Sequence, residues 1–120
     1  MLENSLLELI HRTSVDLPTD VEAGLRRALA VEAKDSLARQ ILATILENVK
    51  LAREKDAPIC KDTGALLFTV QAPAGWDSNA FSAAACAAVS QATRLGYLRE
   101  NTVDSVTGAA YPINLASGAP

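Results

Sequence analysis

The feature that most restricts the fold is a helical spacing of apolar residues through residues 2–55. The first such segment stops ahead of Pro18, because a proline ring disfavours helical backbone in the residue before it. Asp20 is placed to cap a second helix, and Asp35 or Ser36 to cap a third, because their side-chain oxygens can accept the free amides of a first turn. We therefore predict a helical scaffold for the first half of the chain.

The second half of the chain has a different pattern. Residues 66–70 are apolar and partly β-branched, which is typical of a buried strand. A helix rich in small residues is predicted to begin with Ser78 or Asn79 as its cap and to end at Gly96. Residues 101–120 show little periodicity and are expected to be irregular. The fold class predicted is α+β, with a mainly helical N-terminal scaffold, a buried strand, a small-residue helix and an irregular tail.

Composition excludes several classes of function. The 120 residues are expected to form a single domain, residues 1–120, and their net charge of -3 gives no positive field to attract nucleic acid. No apolar run approaches the roughly 20 residues of a membrane span. Two cysteines, Cys60 and Cys86, without a signal peptide indicate reduced thiols and a cytoplasmic location. The apolar strand and the alanine-rich helix favour association into a homo-oligomer.

One short loop gathers the residue types that carry chemistry. Cys60, Lys61 and Asp62 place a soft metal ligand, a cation and a carboxylate side by side, between a proline and the predicted strand. Loops held by regular elements commonly display functional groups. A structural interpretation stays open, because Asp, Thr and Gly64 are also common turn residues.

Other candidate residues are more isolated. Arg99 follows the small-residue helix, where its guanidinium could bind a carboxylate or simply form a solvated helix end. Cys86 lies in an alanine run and is interpreted as a packing residue, and His11 as a surface or boundary residue. The sequence contains no CxxC, HExxH or glycine-rich phosphate loop, so local sequence does not support a zinc site.

The same loop resembles a known family. Residues 58–64, PICKDTG, are similar to the P-x-C-Q-D-T-G signature of the iron–sulfur class of fumarases and of L-tartrate dehydratase α subunits. Residues 98–104, with the pattern L-R-x-N-x-V-D, and residues 117–120, SGAP, resemble further landmarks of that family. The resemblance extends over essentially the whole chain.

This resemblance implies a hydro-lyase that reversibly hydrates a small dicarboxylate, such as fumarate or tartrate. In that family three cysteines hold a [4Fe–4S] cluster, and Cys60 matches the first of them. Asp62 matches a catalytic carboxylate that transfers a proton, and Arg99 matches an arginine that binds a substrate carboxylate. Lys61 stands where the family usually has glutamine, so a cation would replace an amide contact with the substrate.

The family's chains are more than twice as long, and their other two cluster cysteines match nothing here, since Cys86 is not at a cluster position. The resemblance therefore implies that residues 1–120 are the N-terminal part of a dehydratase α-type catalytic domain. We expect such a part to be inactive alone and to work with the remaining α region and a β subunit or domain. Two alternatives stay open: a non-catalytic binding or assembly module, and a thiol-based redox role for Cys60.

Overall fold

The computed structural model describes residues 1–60, 65–111 and 113–115, and the regular structure of these residues is helical. The four helices are α1 (Leu2–Val15), α2 (Thr19–Val31), α3 (Leu37–Lys55) and α4 (Ser78–Arg94). Helix α1 packs against α4 and helix α2 packs against α3, while a smaller contact joins α1 to α3.

The starts of α2 and α3 test the predicted caps. Ser36 caps α3 as predicted, because its Oγ accepts the backbone N–H of Arg39 at 3.1 Å. The cap predicted at Asp20 is wrong, since α2 begins at Thr19 with Pro18 as the N-cap. Asp20 instead lies in the first turn of α2, where a carboxylate interacts favourably with the positive end of the helix dipole.

Helix α4 begins one or two residues earlier than the two predicted caps imply. Its cap is Asp77 rather than Ser78 or Asn79. The Oδ1 atom of Asp77 accepts the backbone N–H groups of Asn79 and Ala80, each at 3.0 Å. The three neighbouring residues are all favourable cap types, so their order alone did not identify the one that caps.

Gly96 ends α4 as predicted. Its φ of +80° is a left-handed conformation that favours glycine. The Gly96 N–H donates to the Thr93 carbonyl at 3.0 Å, and the Tyr97 N–H donates to the Ala92 carbonyl at 2.9 Å. This pair of bonds is the Schellman arrangement, and it turns the chain sharply after the helix.

The buried residues form two clusters. The first joins α1 to α4 and consists of Leu6, Ile10, Ala85, Ala88, Val89 and Ala92. Ala88 and Ala92 are both 0% exposed in this cluster, where their small side chains face α1. The second cluster lies at the end of α3 and consists of Val49, Ala52 and Ile59, with Leu17 packed against it.

The predicted α+β class is wrong for the part of the chain that the structure describes. Residues 65–70 are irregular, and Leu66, Leu67 and Val70 are exposed instead of buried. Of this segment, Phe68 packs against the first cluster. A strand needs a neighbour for its backbone hydrogen bonds. Among the described residues the only β pairing is an isolated antiparallel bridge between Val103 and Ala110.

Within the described residues, no helix has both the length and the apolar composition required to cross a membrane.

Candidate functional site

The loop after α3 displays Cys60 at the surface. Asp56 ends α3 in a left-handed conformation with φ of 48°, and the Ala57 N–H donates back to the Ala52 carbonyl at 3.0 Å. Three residues later Cys60 is exposed as a free thiol. The loop therefore leaves the helix in a defined direction and ends with an accessible sulfur.

The backbone of this loop is held by two other elements. The Ile59 N–H donates to the Ser14 carbonyl at the end of α1, at 3.0 Å. The Cys60 N–H donates to the side-chain Oδ1 of Asn48 on α3, at 2.8 Å. Ile59 is also buried, at 5% exposure, beside Val49. The residue before Cys60 is thus anchored in the core while the thiol stays outside.

Arg99 reaches the same loop from a distant part of the sequence. Its Nη2 atom donates to the Ile59 carbonyl at 3.0 Å, across 40 residues of sequence. The structure therefore brings Cys60 and Arg99, two of the residues singled out from the sequence, to one place. The other two, Lys61 and Asp62, lie outside the described residues, as do residues 117–120.

Asn114 organises the segment that carries Arg99. Its Nδ2 atom donates to the Arg99 carbonyl at 2.8 Å and to the Thr93 hydroxyl at 3.1 Å. Its Oδ1 atom accepts the backbone N–H groups of Asn101 at 3.1 Å and Thr102 at 3.2 Å. One partly buried amide thus ties this segment to α4, and sequence reasoning did not identify it.

His11 lies at the junction of α1 with the ends of α3 and α4. Its Nε2 atom is 3.1 Å from Oδ1 of Asp56, and its ring lies 4.3 Å from the ring of Tyr97, measured between centroids. The interpretation of His11 as a boundary residue is confirmed, because its side chain is 26% exposed. These contacts hold together the elements from which the Cys60 loop departs.

Asp104 shapes a turn downstream of Arg99. The Thr107 N–H, the Thr107 hydroxyl and the Val106 N–H all donate to Oδ1 of Asp104, at 2.7, 2.8 and 3.0 Å. These bonds, the Thr107 amide first, lower the pKa of the Asp104 carboxyl. The hydroxyl of Tyr111 lies 3.2 Å from Oδ2 of the same carboxylate. Asp104 therefore serves the local turn.

An open groove of about 1140 Å³ lies between α1, α2 and α3, and its lining includes neither Cys60 nor Arg99. Arg53 bonds Asp16 at 2.6 Å and Glu22 at 2.8 Å, while Arg26 bonds Glu22 at 2.6 Å. The bonds from Arg26 and then Arg53 lower the pKa of Glu22, and the bonds to Asp16 and Glu22 raise the pKa of Arg53. These ion pairs tie three helical segments together and give the groove a structural role.

The exposure of Cys86 shows that its interpretation as a packing residue is wrong. The alanine run around it favours a packing residue, yet its side chain is exposed. The helix turns Ala85, Ala88 and Ala92 toward α1 and leaves Cys86 on the outer side. Small size alone did not indicate which side of the helix it occupies.

Sequence comparison identifies the relatives of this chain. Residues 3–114 match the protein family described as fumarate hydratase (fumerase). The chain belongs to this family. It is 40% identical over 119 residues to a protein of Geobacillus stearothermophilus described as a class I fumarate hydratase. That match covers 99% of this chain and 23% of the relative.

A second relative is described as an L(+)-tartrate dehydratase α subunit, from Methanocaldococcus jannaschii. It is 33% identical over 63 residues, which is 52% of this chain and 22% of that protein. The chain therefore spans about a quarter of the length of the curated relatives it matches. The resemblance inferred from the PICKDTG loop is confirmed by both relatives.

The fumarate hydratase family implies an iron–sulfur cluster, and the described residues fit a part of one. Cysteine thiolates are the usual ligands of such clusters, and Cys60 offers an exposed thiol on a loop whose backbone is held in place. No group of three or more His, Cys, Asp and Glu side chains that could hold a metal ion occurs among the described residues. Cys60 thus has the chemistry and the exposure that one cluster ligand requires.

Proposed function

We propose that this chain is the N-terminal portion of an iron–sulfur hydro-lyase. The reaction proposed is the reversible hydration of a small dicarboxylate, with fumarate and malate, or tartrate, as the candidate substrates. The observation that carries the proposal is the exposed Cys60 thiol on a loop anchored at Ile59 and Asn48, with the Arg99 guanidinium bonded to the preceding residue. Membership of the fumarate hydratase family supports it.

In this proposal each residue of the site has a separate role. Cys60 supplies one thiolate to a [4Fe–4S] cluster, which when bound offers a Lewis-acidic iron to an oxygen of the substrate. Asp62 transfers the proton that is added or removed with the water. Lys61 and Arg99 bind the carboxylates of the substrate.

The position of Arg99 supports its proposed role. Its bond to the Ile59 carbonyl holds the guanidinium next to the backbone of Cys60. A planar guanidinium can bind a carboxylate through two parallel hydrogen bonds. Arg99 can therefore contribute both to the shape of the loop and to the binding of a dicarboxylate close to the sulfur.

The same proposal requires partners. The chain has only two cysteines, and Cys86 lies outward on α4, so the remaining cluster ligands come from the rest of the α region. We propose a further partner in a β subunit or domain, and assembly as a homo-oligomer. Exposed apolar side chains such as Leu67, at 91% exposure, favour such assembly. A reducing compartment such as the cytoplasm would keep both thiols available.

The proposal can be tested with a chimera. Residues 1–120 would replace the matching segment of the Geobacillus stearothermophilus relative, and the product would be reconstituted anaerobically with iron and sulfide. We expect the visible absorption of sulfur-to-iron charge transfer and hydration of fumarate or tartrate. The 120-residue chain alone, treated in the same way, is expected to show neither.

Two cysteine variants make the test specific. Cys60→Ser in the chimera should lose the absorption band and the activity, while Cys86→Ser should keep both. A wild-type chimera that folds but takes up no cluster would contradict the proposal and favour the alternative of a non-catalytic assembly module. Loss of the cluster in both variants would exclude a specific role for Cys60.

A further inference from the structure

The backbone of the Cys60 loop depends on one side chain for its last anchor. The anchors of Ala57 and Ile59 include backbone carbonyls, those of Ala52 and Ser14. The Cys60 N–H instead donates to the side-chain Oδ1 of Asn48, at 2.8 Å. The orientation of Cys60 is therefore sensitive to the identity of residue 48, whereas the other two bonds would survive most substitutions of the residues that accept them.

The stability of α3 does not explain why position 48 is occupied by asparagine. It lies inside α3, partly buried, next to Val49, which is only 1% exposed. Asparagine is less favourable than alanine within a helix, by up to about 0.7 kcal/mol. Its side chain also competes for local backbone bonds when it has no distant partner. The bond to Cys60 gives a reason for an amide at this place.

The thiol of Cys60 is exposed, whereas the backbone that precedes it is held by hydrogen bonds. Ile59 is buried and has both its N–H and its carbonyl bonded, by Ser14 and by Arg99. With the N–H of Cys60 fixed as well, the peptide plane that precedes the cysteine is fixed at both ends. The thiol nevertheless stays exposed. The hydrogen bonds of the backbone therefore orient Cys60 and leave its sulfur accessible.

We propose that Asn48 is a positioning residue for Cys60, and this proposal rests on the proposed function of Cys60 as a cluster ligand. Its Oδ1 atom orients the backbone of Cys60 so that the thiolate is presented to iron. Functional groups need to be held close to their productive geometry by supporting contacts. Loss of the groups that support metal ligands typically lowers metal affinity by about 10- to 100-fold.

The first test measures the hydrogen bond itself in the 120-residue chain. Asn48→Leu keeps the approximate size of the side chain but removes the acceptor, while Asn48→Asp keeps an oxygen at the same place. We expect the Cys60 amide to exchange its hydrogen about two- to tenfold faster in Asn48→Leu and to return close to the wild-type rate in Asn48→Asp. Unchanged exchange in Asn48→Leu would overturn the proposal.

The second test measures cluster retention in the reconstituted chimera. The iron left after dilution into a chelator should be about 10- to 100-fold less stably bound in Asn48→Leu, with rescue in Asn48→Asp. Gln40→Leu is the matched control, because Gln40 is an exposed amide on the same helix. It should retain the cluster like the wild type.

The outcomes separate the two proposals. A loaded wild-type chimera with equal retention in Asn48→Leu would overturn the positioning role alone. A wild-type chimera that takes up no cluster would overturn the proposed function and this role with it. Equal losses in Asn48→Leu and Asn48→Asp would also count against positioning, since the acceptor oxygen would then not matter.

Discussion

At the scale of single residues, side chains distant in sequence hold the parts of this chain that lack regular structure. Asn48 and Asn114 accept backbone N–H groups 12 or 13 residues away, at Cys60, Asn101 and Thr102. Unpaired backbone amides away from water are costly, so each such bond stabilises one loop geometry over the others. The loops of the candidate site are therefore ordered by a few specific amides.

Glu22 provides a residue-scale prediction on pH. Its pKa is lowered in the folded state by the bonds from Arg26 and then Arg53. A carboxyl with a lowered folded pKa stabilises the protein above its usual pKa of 4.5, and that contribution is lost as the pH falls through the folded pKa. Glu22→Gln should therefore have a lower Tm at neutral pH and a smaller decrease in Tm below about pH 4.5.

Thermal unfolding followed by circular dichroism between about pH 7 and pH 3 checks this expectation. Some acid sensitivity should remain in Glu22→Gln, because the pKa of Asp104 is lowered as well, by the Thr107 amide first. Glu100→Gln, at an exposed position outside the helices, serves as the control and should follow the wild-type profile. If the Tm of Glu22→Gln ran parallel to that of the wild type at every pH, Glu22 would not contribute to the pH dependence of stability.

The sequence indicated the candidate chemical residues of the site more readily than the residues that hold them in place. Cys60 and Arg99 are recognisable because they belong to short patterns with a known family resemblance. Asn48 carries a weaker signal, a polar residue on the apolar side of a helix, and Asn114 carries almost none. Their partners lie too far along the chain for local spacing to indicate them.

At the scale of elements, local patterns predicted helices well and the strand wrongly. Helix α4 ends at Gly96 as predicted, because the left-handed backbone conformation that ends the helix needs only this one residue. A strand at residues 66–70 requires a neighbour, which the described residues do not provide, so apolar β-branched composition was insufficient. The sequence could not indicate the absence of that neighbour, because pairing is decided by the rest of the structure.

The packing of α1 against α4 can be tested by enlarging a buried side chain between them. Ala88 is 0% exposed in the cluster that joins these helices. Ala88→Leu adds three carbon atoms where the two helices pack closely, and overpacking of this kind typically costs about 1–3 kcal/mol. We expect the free energy of unfolding, measured with urea, to fall by that amount.

Ala83→Leu is the control for this substitution, because Ala83 is exposed on the same helix. Its stability should remain within about 0.5 kcal/mol of the wild type. If Ala88→Leu were as stable as Ala83→Leu, the two helices would not pack closely at Ala88.

At the scale of the whole molecule, the chain is more extended than a compact domain of its length. Its radius of gyration is 17.8 Å, whereas about 14 Å is typical for a compact chain of this size. The two buried clusters lie between α1 and α4 and at the end of α3, and α2 contributes no buried residue to either. Stability should therefore be unevenly distributed, with α2 the first helix to open.

Hydrogen exchange followed by mass spectrometry can test this distribution. The free energy of a local opening reflects how much packing the opening disrupts, so amides of α2 should exchange faster than those of α1 and α4. The partly exposed ion pairs of Glu22 with Arg26 and Arg53 add less to the protection of α2 than buried apolar contacts add to that of α1 and α4. Equal protection of all four helices would contradict the uneven distribution.

Gly24 allows the same idea to be tested by adding stability to α2. A Cβ at this position would meet only the Arg27 side chain, at 3.8 Å, which is ordinary van der Waals contact. Gly24→Ala should therefore stabilise the helix by about 0.5–1 kcal/mol and slow exchange of the α2 amides roughly two- to fivefold.

Ala30→Gly, at an exposed position of the same helix, should have the opposite effect. Because α2 opens separately from the cluster between α1 and α4, exchange in α4 should stay unchanged in both variants. A parallel change in α4 would instead mean that the helices unfold as one cooperative unit.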